Sequence, residues 1–329
     1  MLGTSRTLVR AAAIAVVAVV AVYLLGIISC QCGLASPLKA IGRVLPWWAV
    51  EYFLVIPFAL MIGEALLVGW RNSSLAVIAR WGRSVQTDAF YLALQMLLYD
   101  VLLLATTGGL FWHASELSKA YSLQLGVIEN PWLQAAVVFV AADFMSYWVH
   151  RGMHASPALW EAHKVHHSAT DLNLMIAFRF HPLEKIVLAF ADVALFLVLG
   201  ATFEVFVIAG FVNMLLGQVQ HARVDWTYGP LGMILVSPAF HRFHHSRHRE
   251  DFDHNFGARL VVWDRLFGTY SPRTLRPEDI GVDNNTYVER PLLGEFFRPY
   301  YVFFTRAAAV LRSSWRAPEL PGRLFLRRF

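Results

Sequence analysis

Residues 130–167 read NPWLQAAVVFVAADFMSYWVHRGMHASPALWEAHKVHH. Asn130 offers a capping side chain and Pro131 a preset first turn, so a helix is expected to start at this pair. From Pro131 to Val149 the chain is apolar apart from one acid, Asp143, and it nearly reaches the roughly 20 residues that cross a bilayer. Carried past Val149, the same helix puts His150 and His154 four residues apart on one face, with Asp143 and Tyr147 on the same stripe. Nine residues later His163, His166 and His167 stand at i, i+3 and i+4, again on one face. The pattern predicts an apolar helix ending in histidines, followed by a second histidine-bearing helix.

Upstream, the apolar pattern recurs. Ala11 to Ser29 carries no charge, Tyr52 to Trp70 holds only Glu64, and Ala89 to Trp112 holds only Asp100, which makes 131–149 the fourth candidate span. Downstream, Ile186 to Leu216 is apolar for two half-spans, broken by Asp192, Gly200 and Glu204, and suits a hairpin that enters a membrane and returns. The whole chain agrees: 57% of its 329 residues are hydrophobic and 16% charged, with mean hydropathy +0.48, outside the range of ordinary soluble domains. The expected fold class is therefore all-α, an integral-membrane helical bundle of about four spans plus a membrane hairpin. Residues 1–149 form the transmembrane bundle, 150–271 the catalytic region with the hairpin at 186–216, and 272–329 a basic, aromatic tail.

Arg6 and Arg10 precede the first span and Arg71, Arg80 and Arg83 follow the second, whereas the loop between spans three and four offers only Lys119. Lys and Arg gather on the cytoplasmic side, so the chain from His150 onward is expected to form a cytoplasmic cap, most naturally at the cell membrane. Lys39 and Arg43 vote the other way. The pI of about 9.3 reads as basicity toward a membrane surface; no basic helix with stacking aromatics suggests nucleic acid. Residues 6–30 also resemble a secretory or lipoprotein signal, ending near Cys30 and Cys32, the two cysteines of the chain. Within 292–311, Phe296, Phe297, Tyr300, Tyr301, Phe303 and Phe304 alternate with arginines, as in a helix lying among headgroups or packed on the cap.

Twelve of the thirteen histidines fall between residues 150 and 254. The His-x-x-His-His run repeats at His241, His244 and His245, and between the two runs stand His181, ahead of Pro182 and Glu184, and His221. Isolated core histidines do not produce such groups, and a metal-buffering tract would be contiguous. A single ion needs about four ligands, so this many histidines point to two ions. Imidazole-only ligation suits Fe, Zn, Cu or Ni; the buried hydrocarbon of a lipid substrate, with no leaving group to hydrolyse, favours a redox metal. A zinc-dependent membrane hydrolase and a non-enzymatic metal transporter or sensor are the alternatives.

The order of these elements resembles the fatty acid hydroxylase and sterol desaturase superfamily. Tyr147, Trp148, His150, Arg151 and His154 are similar to its first box, and Leu159, Trp160, His163, His166, His167 and Ser168 to its second. Arg179, Phe180, His181, Pro182 and Glu184 resemble a bridging element. His241, Arg242, His244, His245 and Ser246 lead to Asn255, Phe256, Gly257 and then to Trp263 through Thr269, as in that family. The resemblance covers roughly 140–271 and lies nearest the bacterial sterol desaturase-like and alkylglycerol monooxygenase-like members.

It implies a di-iron centre that uses O2 as co-substrate and external electrons to hydroxylate or desaturate a sterol, fatty acyl or ether lipid. The implied ligands are His150, His154, His163, His166, His167, His181, His221, His241, His244 and His245, of which His181 and His221 would be ligands only. The chain has no Gly-rich dinucleotide fingerprint and no cysteine cluster, so a separate ferredoxin or cytochrome is the expected donor. His248 and His254 read as solvated loop residues, and His113 as lying on the opposite membrane face. Asp143, Glu161, Glu184 and Asp264 are candidates to hold the far nitrogens of ligating rings or to form ordinary salt bridges.

Overall fold

The computed structural model of the chain describes residues 55–96, 123–201, 203–283, 285–290 and 292–315. Among these, helices make up all regular structure, with two isolated bridges, Leu235 to Leu260 and Ser246 to Ile280. The helices are α1 (Ile56–Val68), α2 (Ser74–Arg80), α3 (Arg83–Leu94), α4 (Pro131–Ala155), α5 (Pro157–His167), α6 (Pro182–Leu199), α7 (Phe203–Val219), α8 (Pro238–His244), α9 (Val262–Leu266), α10 (Thr286–Glu289) and α11 (Leu292–Trp315).

Four helix starts share one chemistry, a capping side chain followed by proline. Asn130 accepts from the Trp132 and Leu133 amides ahead of α4, and Ser156 from Leu159 ahead of α5. His181 accepts from Leu183 ahead of α6, and Ser237 from Phe240 ahead of α8. Each cap satisfies amides that the first turn leaves without a carbonyl, while proline lacks the amide that would be stranded. Three of these helices carry the histidine groups and the fourth lies against them.

α4 is the organising element, 25 residues long and the one described helix long and apolar enough to cross a membrane. Across 186–216, where a membrane hairpin is expected, the chain runs as α6 and α7 with a turn at Gly200, whose φ of +62° ends α6 in the left-handed conformation that glycine adopts without a Cβ clash. Both arms pack on α4. Ala135, Val138, Leu195, Leu199, Ala201, Val205 and Ala209 form the core between them, the larger side chains contributing about 1.5–3 kcal/mol each. The opposite stripe of α4 is open: Leu133, Val137, Val140, Phe144 and Trp148 are exposed, as are Phe190 and Val198 on α6 and Phe211 and Val212 on α7.

Of four expected spans, the described residues hold one clear candidate, α4. Residues 52–54 of span two lie outside the described residues; the described part of that span includes α1, 13 residues long. Gly69 and a short 3-10 turn at Trp70–Asn72 end it. Span one, residues 97–112 of span three, His113, Cys30 and Cys32 lie outside the described residues.

The segment from α1 to α3 is locked to the histidine region by two buried acids. The Glu64 carboxylate accepts from the Ser74 amide (2.5 Å) and hydroxyl (3.0 Å) and from the Arg223 amide (2.5 Å). Asp88 on α3 meets the fully buried Arg179 at 2.9 Å and accepts from Asn173. Arg179 also donates to the Val165 carbonyl, the Ser84 carbonyl and hydroxyl, and the Ser168 hydroxyl, so one guanidinium joins α3, the end of α5 and the segment before α6. Removing one member of such a pair strands the other charge. Arg179→Leu is therefore expected to lower stability by about 3–5 kcal/mol, read as an early thermal transition of the purified protein in detergent.

Candidate metal centre

The histidine side chains collect into two adjoining groups. His150, His154, His163, His167 and His244 form one, and His166, His221, His241 and His245 the other; within each, the potential ligand nitrogens all lie within 4.8 Å of one another. α4, α5 and α8 supply the first, while α5, α8 and the end of α7 supply the second. The rings of His167 and His245 stack at 4.5 Å between the groups. Spacing within each helix decides the assignment: in both His-x-x-His-His runs, the i and i+4 members have facing Nε2 atoms 3.1 Å apart.

Hydrogen bonds on the far side of the rings determine which nitrogen points inward. Nδ1 of His150 donates to the Phe256 carbonyl (2.9 Å), that of His244 to the His254 carbonyl (2.8 Å), and that of His221 to the Gly217 carbonyl (2.9 Å). His163 Nδ1 lies 2.7 Å from Glu184 Oε1. A carbonyl oxygen only accepts, so Nδ1 of His150, His244 and His221 carries the hydrogen and the neutral ring presents a bare Nε2, the arrangement that hydrogen-bond partners behind the ring impose on metal-bound histidines. Burial keeps His163, His166, His167, His241, His244 and His245 uncharged, their pKa values held well below the ordinary 6.5. The same cause brings His221 to about 4.

The inward nitrogens meet each other instead of donors. His167 Nε2 lies 3.2 Å from His154 Nε2 and 3.1 Å from His163 Nε2, and His221 Nε2 lies 3.1 Å from His241 Nε2. Nε2 of His150 and of His244 is likewise buried with no partner. Bare lone pairs turned toward one another in a buried site are unfavourable unless a cation lies between them. Two nitrogens about 2.1 Å from one ion and at right angles are about 3.0 Å apart, close to these separations. The donors thus fit two imidazole-rich metal ions, a set compatible with Fe, Zn, Cu or Ni.

His181 stands apart from both groups. Its Nε2 donates to the Phe296 carbonyl at 3.0 Å and its Nδ1 accepts from the Leu183 amide at 3.2 Å, so both ring nitrogens are engaged in capping α6 and holding α11. His248 is half exposed near Asp279, and His254 Nδ1 contacts the Phe252 carbonyl; neither belongs to the groups.

Of the four acids, Glu184 touches a group directly, through His163. Asp264 accepts from the Phe256 and Gly257 amides, both at 2.7 Å, and so positions the carbonyl that holds His150. A Cβ on Gly257 would come 2.7 Å from Asp264 Oδ2 and 2.6 Å from the Leu260 carbonyl, which leaves room for glycine alone. Asp143 accepts from the Arg259 and Leu260 amides and the Trp263 indole, clamping the loop that follows Gly257 onto α4. Glu161 pairs with Arg298 of α11 at 3.3 Å. The role of Asp88 was not legible beforehand; a polar residue at the head of an apolar helix and an arginine amid Phe178 and Phe180 were its only signals.

A cavity of about 420 Å³ adjoins both groups, between α4, α6 and α7. His150, His163, His166, His221 and His241 line one end, and Met153, Phe178, Leu188 and Met214 are among its apolar walls.

The fatty acid hydroxylase family model matches residues 135–269, the stretch that contains both groups. An ornithine lipid hydroxylase of Rhizobium tropici is 34% identical over 169 residues, covering 51% of this chain and 50% of that protein. The alkylglycerol monooxygenase of Homo sapiens is 34% identical over 43% of this chain and 31% of its own length. A Delta(7)-sterol 5(6)-desaturase of Aspergillus fumigatus is 28% identical over 42% and 37%. The chain spans half or less of the length of these relatives. No solved structure matches it.

Two ions, one in each group, would make the groups separable. His221→Ala is expected to reduce metal content from about two ions per chain to about one, measured by elemental analysis, whereas His248→Ala should leave it unchanged. Glu184→Ala is expected to weaken metal retention about 10–100-fold in a chelator titration.

Proposed function

We propose that this chain, whose residues 135–269 belong to the fatty acid hydroxylase family, is a membrane di-iron oxidoreductase that uses O2 and external electrons to hydroxylate or desaturate a lipid. The observation that carries the reading is the pair of adjoining all-histidine groups at the end of a cavity between α4 and the α6–α7 hairpin. A hydrocarbon chain entering between these helices would bring a C–H bond to the nitrogens' side of the cavity. Redox metal ions bound there would supply the activation of O2 that an unactivated C–H bond requires; hydrolysis would not.

The protein's own groups bind, orient and exclude water. Glu184 keeps the His163 proton on Nδ1, and the Phe256, His254 and Gly217 carbonyls do the same for His150, His244 and His221. The site lies among buried side chains, which keeps bulk water from the reacting carbon. The exposed apolar stripes of α4, α6 and α7 support burial of this part of the molecule in lipid, with the histidine region on the cytoplasmic side of the cell membrane. On α11, one face packs on α5 through Phe296 and Arg298, while Leu293, Phe297, Tyr301 and Phe304 remain exposed, which suits a helix resting against headgroups. Electrons come from a separate ferredoxin- or cytochrome-type donor.

The test is metal content together with lipid-dependent chemistry. Purified protein is expected to carry iron and to consume O2 and reductant only with a lipid extract, and His163→Ala to reduce both to background. A zinc-only protein whose activity is indifferent to oxygen would overturn the assignment in favour of a hydrolase.

A further inference from the structure

The cavity beside the metal-binding groups is not lined as a simple hydrocarbon slot. One face of α7 forms a wall, with Gly210, Asn213, Met214, Gly217 and Gln218 leading to His221. Gln218 is 2% exposed. Its Nε2 donates to the Met214 thioether at 3.0 Å, and its Oε1 is buried with no partner. Gln95, 1% exposed, faces the same cavity from beyond α3, and its Nε2 also lacks a partner. Asn213 presents an unpartnered Oδ1 there as well. The neighbouring Gln220 differs: its Nε2 donates to the Ala258 carbonyl and its Oε1 accepts from Arg259.

A thioether is a weak acceptor, and a buried amide without a strong partner is unfavourable against an alkyl chain. Pockets that carry a few unpaired polar groups among apolar walls use them to fix a ligand's orientation. His221 follows three residues on, in the turn that ends α7, where its amide donates to the Gln218 carbonyl at 3.1 Å, and both residues line the cavity. A ligand group bonded to Gln218 therefore sits only a few bonds from whatever atom approaches the second histidine group.

We propose that the cavity selects a lipid bearing a hydroxyl or amide group within a few bonds of the carbon that is oxidised, and that Gln218, with Gln95 opposite, hydrogen-bonds that group. This rests on the lipid-oxidising reading and narrows it: the oxidised carbon lies near the polar end of the lipid, and the remote chain extends along Leu188 and Ala189 of α6. Gln218 and Gln95 are positioning residues, since neither belongs to the metal-binding groups.

The experiment compares binding of three sixteen-carbon probes to the full-length, metal-loaded protein in detergent: hexadecane, hexadecane-1,2-diol and N-methylhexadecanamide. The wild type is expected to bind at least one polar probe about ten-fold tighter than hexadecane, because unpaired buried polar groups discriminate strongly against analogues lacking the matching group. Gln218→Met is expected to abolish that preference while leaving hexadecane binding within about two-fold. Gln95→Leu, outside α7, carries the same expectation independently should the first variant not fold. No preference in the wild type, or preference retained in the variants, overturns the proposal. Lipid-dependent O2 uptake is measured on the same preparation: its absence with the binding preference intact counts against the oxygenase reading alone, and uptake without the preference counts against the polar subsite alone.

Discussion

Nine imidazoles must be buried, neutral and turned inward at once, and most of the architecture answers to that requirement. For four of these rings the nitrogen on the far side has an oxygen beside it to hold the proton. The acceptors come from sequence-distant places: the Phe256 and His254 carbonyls in the loop after α8, the Gly217 carbonyl one turn back on α7, and Glu184 at the start of α6. The loop can serve only because it is itself held, by Asp264 through the Phe256 and Gly257 amides and by Asp143 through Arg259, Leu260 and Trp263. An acid in the middle of the long helix thus acts on the site indirectly, by pinning the backbone that orients a ligand on its own helix.

The same logic explains why so many charges are buried away from the centre. Arg179 spends its donors on α3, α5 and the turn before α6, and Glu64 joins α1 to α2 and to Arg223. Short helices that bury little apolar area on their own are fixed by these contacts, where a misplaced turn would leave a buried charge unpaired. His181 belongs with them: a histidine in metal-rich company whose two nitrogens cap one helix and anchor another.

Packing on α4 separates two environments. Its inner face meets the hairpin and the histidine helices, and its outer stripe of Leu133, Val137, Val140, Phe144 and Trp148 stays uncovered. The cavity lies between the inner face and the α6–α7 pair, so a ligand that entered it would meet the inward-facing nitrogens inside protein, beside the amide-bearing wall of α7.

The local features were legible in the sequence because they depend on spacing along one helix. The start of α4 at Asn130 and Pro131, the return of the hairpin near Gly200, and the convergence of each His-x-x-His-His run follow from periods of 3.6 residues and from capping chemistry. The resemblance to a family covering 140–271 likewise rested on residues in order. Spacing could not reveal how histidines divide between two groups, that His181 anchors α11, or that Asp88 is the partner of Arg179, since these depend on pairings across 13 to 115 residues. Nor does hydropathy say whether the apolar run of α1 is buried by protein or by lipid, because it reports burial alone. Sequence determined which side chains could be ligands; only the tertiary structure decided which nitrogens face one another, because a ring's direction is set by the proton acceptor behind it.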